Sequence, residues 1–476
     1  MNRQNFLGHL TLALAIIIVA AFVGQMRRWE KQRAVQTASY SAAVKTIDTG
    51  TLIPLHDFNE AEMLIRFKPG VTAAQIERIA EIYNDEVEDV FEAVGGLAVI
   101  SDEDGLDAAE VAAYRSLPIV DYVEPNYEIN LVEPEVEEST EFDDSSDLVK
   151  LAGPNDPQFA EQWALNNTGQ RNGKHKADID AIKAWVSTHG NGKVVVAVLD
   201  SGVDYTHPDL VTNMWIRPDH IAPYFDNHLG EIDDEHGYNA AENNGDPMDQ
   251  NGHGTHCAGI IGAEGDNNQG IAGVNWKVEI MPLKFMSAGG FGTTKDAIEA
   301  INYVIARKKA GVNVRVISAS WGSTQRSRAL EDVIRKAGDE GILFVAASGN
   351  SNANTDRVPH YPSSYVLPNV VSVAALNRND EIASFSNYGP KSVHIAAPGV
   401  EILSTWLNND YKEASGTSMA TPVVSGVAAL ILSKQSDLSV KELRERLLKS
   451  VDKLPALENK SVSGGRINAA LAVKAN

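Results

Sequence analysis

Two patterns of apolar residues divide the chain. Between residues 62 and 131, short apolar runs alternate with stretches in which apolar residues recur every three or four positions. These patterns are typical of strands and of amphipathic helices, respectively. Read in order, they predict strands at 63–67, 87–91, 97–101 and 120–124, and helices at 72–83 and 106–117. The β-α-β-β-α-β order is typical of a small ferredoxin-like α+β domain.

From about residue 153 onward, the apolar residues form continuous runs of Val, Ile and Ala. Such runs are expected for strands that are covered on both faces, as in a parallel sheet. They predict strands at 193–200, 278–285, 314–321, 342–348 and 370–376, and helices at 295–309, 328–340 and 440–450. Ser439 and Glu442 form a capping-box pair at the start of the last helix. The alternation predicts an α/β fold with a doubly wound, mostly parallel sheet.

The N-terminus has an apolar run at residues 10–23, preceded by Arg3. Its length suits the hydrophobic region of a signal peptide better than a membrane-spanning helix of roughly 20 residues. Basic residues directly after the run are unusual for a cleaved signal; they are Arg27, Arg28, Lys31 and Arg33. We expect residues 1–26 to be a signal peptide, which predicts a secreted, extracellular protein. A retained membrane anchor or a periplasmic location is the alternative.

Charge narrows the choice of partners. The chain has 41 Lys and Arg against 64 Asp and Glu, a formal net charge of -23. This balance disfavours nucleic acids and anionic membranes, so we expect no nucleic acid partner, and a membrane only if the N-terminal segment is retained. Eight acidic residues stand beside one lysine in residues 132–150, a composition that cannot bury enough apolar surface to fold. Residues 132–155 are therefore predicted to be an acidic linker.

Polar residues with catalytic chemistry stand where an open parallel sheet places its active site, beyond the carboxyl ends of its strands. Asp200 ends one predicted strand, Asn350 follows another, and His253 lies in the loop "DQNGHGTHCAG". Ser418 stands at the start of an apolar, helix-like segment. A serine hydroxyl becomes a nucleophile when a base, usually a carboxylate-held histidine, takes its proton. A helix N-terminus adds free N–H groups that suit an oxyanion.

Each of these residues also has an ordinary structural interpretation. Ser418 or Thr417 taken alone would be a helix cap, and Asp200 alone would be a turn residue. The stretch "GTSMA" is similar to the nucleophile elbow of α/β-hydrolases, but that fold needs a histidine after the serine. The last histidine of the chain is His394, which excludes an esterase of that kind.

A zinc site is a further alternative, because His253 and His256 lie beside Cys257. The zinc-peptidase signature H-E-x-x-H is absent, and Gly254 argues against a helix at this point. The spacing therefore disfavours zinc. We expect Cys257, the single cysteine, to be a small buried apolar residue.

Taken together, "VLDSGVDYTHPDL", "NGHGTHCAG", "AASGN" and "SGTSMATP" resemble the subtilisin-like serine proteases, the subtilases of peptidase family S8. The order Asp, His, Asn, Ser is that of the family, and the likeness covers the domain predicted at residues 156–476. "NDPQFAEQWALNNTGQ" and the cysteine in "HGTHCAG" are similar to the thermitase and proteinase K-like branches. Residues 62–131, which include "YVEPNYEI", resemble the inhibitory I9-type propeptide of these enzymes.

The resemblance implies a serine endopeptidase that hydrolyses peptide bonds in proteins through an acyl-enzyme. It assigns Ser418 as nucleophile, His253 as base, Asp200 as the carboxylate that orients the base, and Asn350 as an oxyanion donor. It also implies a precursor whose propeptide is an intramolecular inhibitor, with a tail around "YVEPNYEINL" in the substrate groove. The cleavage point would lie between Leu131 and the start of the peptidase domain.

By the same resemblance, a substrate lies as an extended strand between residues 288–291 and 319–323. The substrate-binding residues implied are Gly289, Gly290, Ser320, Trp321 and Gly322. Trp321 stands where the family often has leucine, and we expect it to narrow or reshape the pocket for the residue before the scissile bond. A preference for apolar or aromatic residues at that position follows.

A structural calcium ion is also implied by the resemblance. Its ligands would be carboxylates, side-chain amides and, at Glu264 and Ile271, backbone carbonyls; the side-chain ligands are Asp156, Asp209, Asn267 and Gln269. Hard oxygen ligands in a loop suit calcium, although Asn and Gly are also common in ordinary polar turns. No organic cofactor is expected, and a second calcium site near residues 244–249 is weaker.

Two alternatives remain open at this point. A membrane-tethered processing protease of narrow specificity would differ in whether the N-terminal apolar run is retained. A catalytically silent binding protein with the same fold would lack reactivity at Ser418.

Overall fold

The computed structural model describes residues 62–102, 108–134 and 153–474. The apolar run at 10–23 and most of the predicted linker, residues 135–152, lie outside the described residues. The signal-peptide and linker assignments therefore stay predictions.

The small subdomain (residues 62–134) contains the predicted order of strands and helices. Its elements are β1 (Glu62–Phe67), α1 (Ala73–Tyr83), β2 (Glu86–Val90), β3 (Leu97–Ser101), α2 (Ala108–Ser116), β4 (Val120–Pro125) and β5 (Glu128–Asn130). The first four strands form one antiparallel sheet in the order β2-β3-β1-β4. The strand and helix bounds predicted for this region agree with the structure to within two residues.

The large subdomain (residues 153–474) alternates strands with helices. Its strands are β6 (Gly190–Asp200), β7 (Tyr224–Asp226), β8 (Gly230–Ile232), β9 (Tyr238–Asn239), β10 (Lys277–Lys284), β11 (Phe291–Thr293), β12 (Val314–Ala319), β13 (Leu343–Ala347), β14 (Val370–Leu376), β15 (Ile395–Pro398), β16 (Ile402–Trp406), β17 (Asp410–Ala414), β18 (Val451–Lys453) and β19 (Gly465–Ile467). Its α-helices are α3 (Ala181–Trp185), α4 (His253–Gly262), α5 (Thr294–Lys309), α6 (Arg328–Asp339), α7 (Thr417–Lys434), α8 (Val440–Lys449) and α9 (Ala469–Val473).

Nine strands of the large subdomain form one sheet in the order β18-β19-β15-β14-β13-β12-β6-β10-β9. Of the neighbouring pairs in it, β18–β19 is antiparallel and the others are parallel. The predicted doubly wound, mostly parallel sheet is confirmed. The chain passes from β6 to β10 on one side and returns to β12 on the other. The order therefore reverses at β6, where such sheets place their sites.

Both faces of this sheet are covered, which explains the continuous apolar runs. In β6, Val194, Val196 and Val198 face a core that includes α4, α7 and α8. The alternate residues Val195, Ala197 and Leu199 face a second core with α5 and α6. Apolar side chains are therefore required at consecutive positions. The capping box that was predicted for α8 at Ser439 and Glu442 is present.

Helix α7 is the central helix of the first core. By length and composition it could cross a membrane, but 89% of its most apolar window is buried inside the protein. Pro422 lies within it and has no N–H to donate to the carbonyl oxygen of Ser418. The hydroxyl of Ser320 donates to that oxygen instead, at 2.8 Å. The start of α7 is thereby tied to the end of β12.

Candidate active site

Asp200 and His253 meet at the carboxyl edge of the sheet. Asp200 ends β6 and His253 begins α4. His253 Nδ1 lies 2.7 Å from Asp200 Oδ1, and both side chains are buried. Burial lowers the pKa of His253, but the charge of Asp200 and its hydrogen bond raise it by more, so this pKa lies above its ordinary 6.5. The carboxylate thus orients the imidazole and stabilises its protonated form.

Helix α4 begins at His253, so the expectation that Gly254 excludes a helix here is wrong. A Cβ atom at Gly254 would lie 2.0 Å from the carbonyl oxygen of Gly202. The glycine therefore reflects the close approach of α4 to the turn after β6. It is needed for packing, and it does not interrupt the helix.

The entry to α4 is held by Asp249, a residue that sequence reasoning considered only near the weaker calcium site. Its Oδ1 accepts from the Ser201 hydroxyl at 3.0 Å and from the N–H of Gly252 at 3.1 Å. Its Oδ2 accepts from the N–H and hydroxyl of Thr255 at 3.0 and 2.7 Å. Protein donors therefore engage both oxygens, and Asp249 ties the turn after β6 to the first turn of α4, which helps to position His253. An acidic residue shortly before a helix start is the signal that could have found it.

The side chains of His256 and Cys257 in the histidine loop are buried next to backbone carbonyl oxygens. His256 Nε2 lies between carbonyl oxygens of β16 and β17, at 3.0 and 2.9 Å, and burial lowers its pKa to about 3. Cys257 is fully buried, its thiol lies 3.7 Å from the carbonyl oxygen of Ser418, and burial raises its pKa. The prediction of a buried cysteine is confirmed.

Ser418 is the second residue of α7 and is 7% exposed. Gly416 holds the cap position, so the interpretation of Ser418 or Thr417 as the helix cap is wrong. The N–H of Ser418 is one of the first four of the helix, which have no partner within the helix. His253 Nε2 is buried and forms no hydrogen bond with any residue that the structure describes. A histidine–serine hydrogen bond is therefore not formed; such bonds often tighten only when substrate is bound.

Asn350 follows β13, and Thr417 fixes the orientation of its side chain. Asn350 Oδ1 accepts from the N–H and from the hydroxyl of Thr417, both at 2.9 Å. Its Nδ2 donates to the carbonyl oxygen of Val132 at 2.9 Å. A donor is thus already directed at a peptide carbonyl next to Ser418. Sequence reasoning missed the orienting role of Thr417, although its place beside the serine could have suggested it.

Val132 belongs to an extended segment that follows the small sheet. Strand β5 pairs antiparallel with β11, and the N–H of Leu131 donates to the carbonyl of Gly290 at 3.0 Å. Gly290 has φ 77°, and a Cβ there would lie 3.3 Å from the Leu131 side chain. Gly289 is exposed and forms no hydrogen bond with the described residues of this segment. The structure thus brings Gly290, but not Gly289, against the extended segment.

A cavity of about 250 Å³ lies beside Val132. Its lining includes Ser320, Trp321, Gly322, Asn350, His360 and Ser418. Trp321 belongs to this lining, and the expectation that it narrows or reshapes the pocket stays a prediction. The indole N–H donates to the carbonyl of Leu199 at 2.9 Å and the ring packs on Phe285, with centroids 4.8 Å apart. The ring therefore belongs to the core behind the sheet edge.

The small subdomain also contacts the N-termini of α5 and α6. The Glu124 carboxylate accepts from the N–H groups of Arg328 and Ala329 at 2.8 and 3.0 Å. The side-chain oxygen of Asn126 accepts from the N–H of Lys295 at 2.8 Å. Helix N-termini have free donors and a partial positive charge that favour such acceptors. These contacts position the extended segment next to Ser418.

Some of the residues of the implied calcium site lie close together, and others do not. Asp209 Oδ1 accepts from the side-chain amide of Asn267 at 2.8 Å, and its Oδ2 accepts from the N–H of Ile271 at 3.0 Å. Asp156 Oδ2 accepts from the N–H of Asp266 at 2.8 Å. Burial, with a contribution from the charge of Asp209, raises the pKa of Asp156 to about 6.

Two further residues of that set are placed differently. The Glu264 carboxylate accepts from the Thr212 hydroxyl at 2.7 Å, and the backbone N–H of Glu264 donates to the Asp209 carbonyl at 2.8 Å. Gln269 is exposed, and its N–H donates to Asn267 Oδ1 at 2.8 Å. The structure thus brings Asp156, Asp209 and Asn267 together in one buried region and leaves Gln269 at its surface.

Comparison with known proteins agrees with this fold. A family model described as the Subtilase family, Peptidase S8, matches residues 191–465. The chain is 33% identical over 405 residues to the thermophilic serine proteinase of Bacillus sp. (strain AK1), covering 83% of each chain. It is 35% identical over 321 residues to thermitase of Thermoactinomyces vulgaris, covering 67% of this chain and 99% of thermitase.

A solved structure extends the comparison to three dimensions. The crystal structure of a cold adapted subtilisin-like serine proteinase matches with a TM-score of 0.51 and 30% identity, covering 64% of this chain and 97% of that one. The fold is therefore subtilisin-like, a mostly parallel sheet with flanking helices. The chain belongs to the subtilase family, peptidase family S8. It spans 22% of the length of subtilisin-like protease 2 of Plasmodium falciparum (isolate 3D7), to which it is 38% identical over 304 residues.

Proposed function

We propose that this chain is a serine endopeptidase, made as a precursor that its own small subdomain inhibits. Family membership supports peptide-bond hydrolysis. The contact of Asp200 with His253 supports His253 as a base that the carboxylate orients. The position of Ser418 at the start of α7 supports its role as nucleophile. Protein and peptide substrates follow from this chemistry.

In the proposed mechanism, Ser418 Oγ attacks the carbonyl carbon of the scissile bond. His253 Nε2 takes the hydroxyl proton and then gives it to the departing amine. Water next attacks the acyl-enzyme, and His253 takes the proton of that water and returns it to Ser418 as the carboxyl product leaves. Asp200 holds Nδ1–H throughout and stabilises the imidazolium. Asn350 Nδ2 and the N–H of Ser418 stabilise the oxyanion.

The contact of Asn350 with the Val132 carbonyl carries the proposal. It places a peptide carbonyl of the chain itself on the proposed oxyanion donor, at 2.9 Å. We therefore assign Val132–Glu133 as the first bond to be cleaved. Pairing of β5 with β11 would hold the cleaved segment in the groove, which is the basis of the proposed inhibition.

The groove also bears on specificity. Val132 is 67% exposed beside the cavity of about 250 Å³, so the valine does not fill it. Because burial of apolar area favours binding, a larger apolar or aromatic residue before the scissile bond should be cleaved faster. Replacing Val132 with Phe should accelerate processing, whereas Val132→Asp should slow it.

Ser418→Ala is the test of the proposed activity. The full-length variant should remain uncut and should not react with a serine-directed phosphonate, while the wild-type chain is processed and labelled. Ser415→Ala is the matched control, because the Ser415 hydroxyl accepts a hydrogen bond from the N–H of Glu401 and belongs to the same loop. Labelling or processing of the Ser418→Ala chain would instead support a different nucleophile.

We further propose a structural calcium ion held by the Asp156 and Asp209 carboxylates, with Asn267, Gln269 and the carbonyls of Glu264 and Ile271 as the remaining candidates. The fit rests on two buried carboxylates, 5% and 0% exposed, in one oxygen-rich region. Bound calcium would neutralise their charge and tie the first residues of the large subdomain to the loop after α4.

Secretion stays a proposal that follows from the sequence of residues 1–26. A secreted protease loses this segment, whereas a membrane-tethered processing protease keeps it. N-terminal sequencing of the exported protein distinguishes the two.

A further inference from the structure

Three carboxylates meet where the small and large subdomains are in contact. Asp89 lies in β2 of the small subdomain, while Asp226 ends β7 and Glu299 lies in α5 of the large one. One oxygen of each lies within 4.8 Å of the others. The three residues, named the acid cluster below, are 9%, 1% and 5% exposed.

Two oxygens of the acid cluster are buried without a partner. Asp226 Oδ1 accepts from the N–H groups of His228 and Leu229 at 2.7 and 2.8 Å, but Asp226 Oδ2 forms no hydrogen bond with any described residue. Glu299 Oε1 accepts from the Tyr224 hydroxyl at 3.5 Å, whereas Glu299 Oε2 has no described partner. An unpaired buried oxygen is costly, and most such atoms in proteins bind a donor, water or an ion.

The cations nearby do not balance these charges. Lys295 pairs with Glu62 at 3.0 Å and lies 3.8 Å from Glu88. His228 Nε2 is 4.0 Å from Asp89 Oδ1. When its three acids are ionised, the acid cluster carries more negative charge than these cations balance.

The space beside the cluster suits a hydrated ion. The lining of a cavity of about 80 Å³ includes the three acids together with Glu88, Asn243 and Lys295, and it also has apolar members. A hard divalent cation takes six or more oxygen ligands, and waters can complete a set that begins with three carboxylates. A proton shared between Asp89 and Glu299 would neutralise one charge and would leave that of Asp226.

We propose that the acid cluster binds a hard divalent cation of the calcium type, which bridges the two subdomains. Asp89 supplies one ligand from the small subdomain, and Asp226 and Glu299 supply the others from the large one. The bridge is separate from the Asp156–Asp209 region, which lies within the large subdomain. If the small subdomain is the inhibitor proposed above, this ion prolongs inhibition and is lost when that subdomain leaves.

Calcium counting on the full-length Ser418→Ala chain tests the bridge without needing activity. The Asp89→Asn and Glu299→Gln substitutions are each introduced into this Ser418→Ala chain. Equilibrium dialysis with calcium should then show one fewer bound ion per chain than in Ser418→Ala alone. Asp121→Asn is the matched control, because this acid pairs with Arg328 at 3.5 Å and lies outside the cluster. Near-ultraviolet circular dichroism confirms that each variant is folded.

The outcomes separate the possibilities. Loss of one calcium equivalent in both cluster variants, with none lost in Asp121→Asn, supports the bridge. Unchanged calcium binding in folded Asp89→Asn and Glu299→Gln chains overturns it and favours a shared proton between the carboxyl groups. Neither result depends on Ser418, so failure of the bridge and failure of the proposed protease activity are read from different experiments.

A functional readout follows in the Ser418-containing chain. Millimolar calcium should lengthen the lag before full activity at least threefold. The lag of the Asp89→Asn chain should not respond to calcium, whereas that of Asp121→Asn should respond as wild type does. An equal calcium response in Asp89→Asn and wild type would overturn the bridge.

Discussion

Asp200 and Asp209 are both fully buried, but their charges are balanced in different ways. Asp200 faces the imidazole of His253 at 2.7 Å, a partner that can become a cation. Among the described residues, the donors to the Asp209 carboxylate are neutral and include the Asn267 amide at 2.8 Å and the Tyr411 hydroxyl at 3.2 Å. Asp200 thus has a partner within the chain that can carry the opposite charge, whereas the proposed calcium ion would supply that charge at Asp209. Mutation should therefore affect the two sites through different observables, namely turnover at Asp200 and stability at Asp209.

The largest expected effect is that of Asp200→Asn on turnover. Loss of the carboxylate removes the group that orients the imidazole and stabilises its charge, so kcat should fall about 10⁴-fold. Steady-state kinetics on a peptide substrate measures it. Asp209→Asn is the control at the other buried carboxylate, and its kcat should stay within about threefold of wild type. A fall of less than tenfold in Asp200→Asn would remove the proposed role of Asp200.

Asn350→Ala should have the next largest effect. Loss of an oxyanion donor typically costs about 3 kcal/mol of barrier, so kcat should fall by about 10²-fold while KM changes little. The same assay separates the two constants. A rise in KM with unchanged kcat would mean that Asn350 binds substrate without stabilising the transition state.

Calcium removal should act on stability and only through the Asp156–Asp209 region in the mature enzyme. A ligand present at about 100 times its Kd stabilises the fold by about 2.7 kcal/mol. EDTA should therefore lower the Tm by about 5 °C. Differential scanning calorimetry should show this shift in wild type and a much smaller one in Asp209→Asn. Equal shifts in both chains would place the ion elsewhere.

The smallest expected effect is that of pH on kcat/KM. His253 must be neutral to accept the serine proton, and the net effect of Asp200 is to raise its pKa above 6.5. Activity should therefore be lost as pH falls through a value above 6.5. A pH profile of kcat/KM measures this limb. Full activity at pH 6 would contradict the assigned coupling between Asp200 and His253.

The strands and the catalytic candidates could be predicted from the sequence because their patterns are local. The run ending in Asp200 shows a buried strand and its carboxyl end, and the stretch around Ser418 shows a helix start. The direction of the Trp321 ring could not be predicted, because it depends on contacts with Leu199 and Phe285 across the sheet. Gly254 was misread because only the packed fold reveals the close approach to Gly202.

The acid cluster could not be predicted for the same physical reason. Asp89, Asp226 and Glu299 each look like ordinary polar residues of a strand, a turn and a helix. Their proximity arises only from the contact between the two subdomains, which no local pattern encodes. The orienting contact of Asn350 with Thr417 is likewise a long-range one.

Mass spectrometry of the fragments that form during maturation tests the central claim most directly. The account predicts that the fragment released from wild type ends at Val132, because the carbonyl of that residue lies on Asn350. It also predicts that the Ser418→Ala chain yields no such fragment. A first cut at any other bond, or the same fragment from the Ser418→Ala chain, would contradict the account.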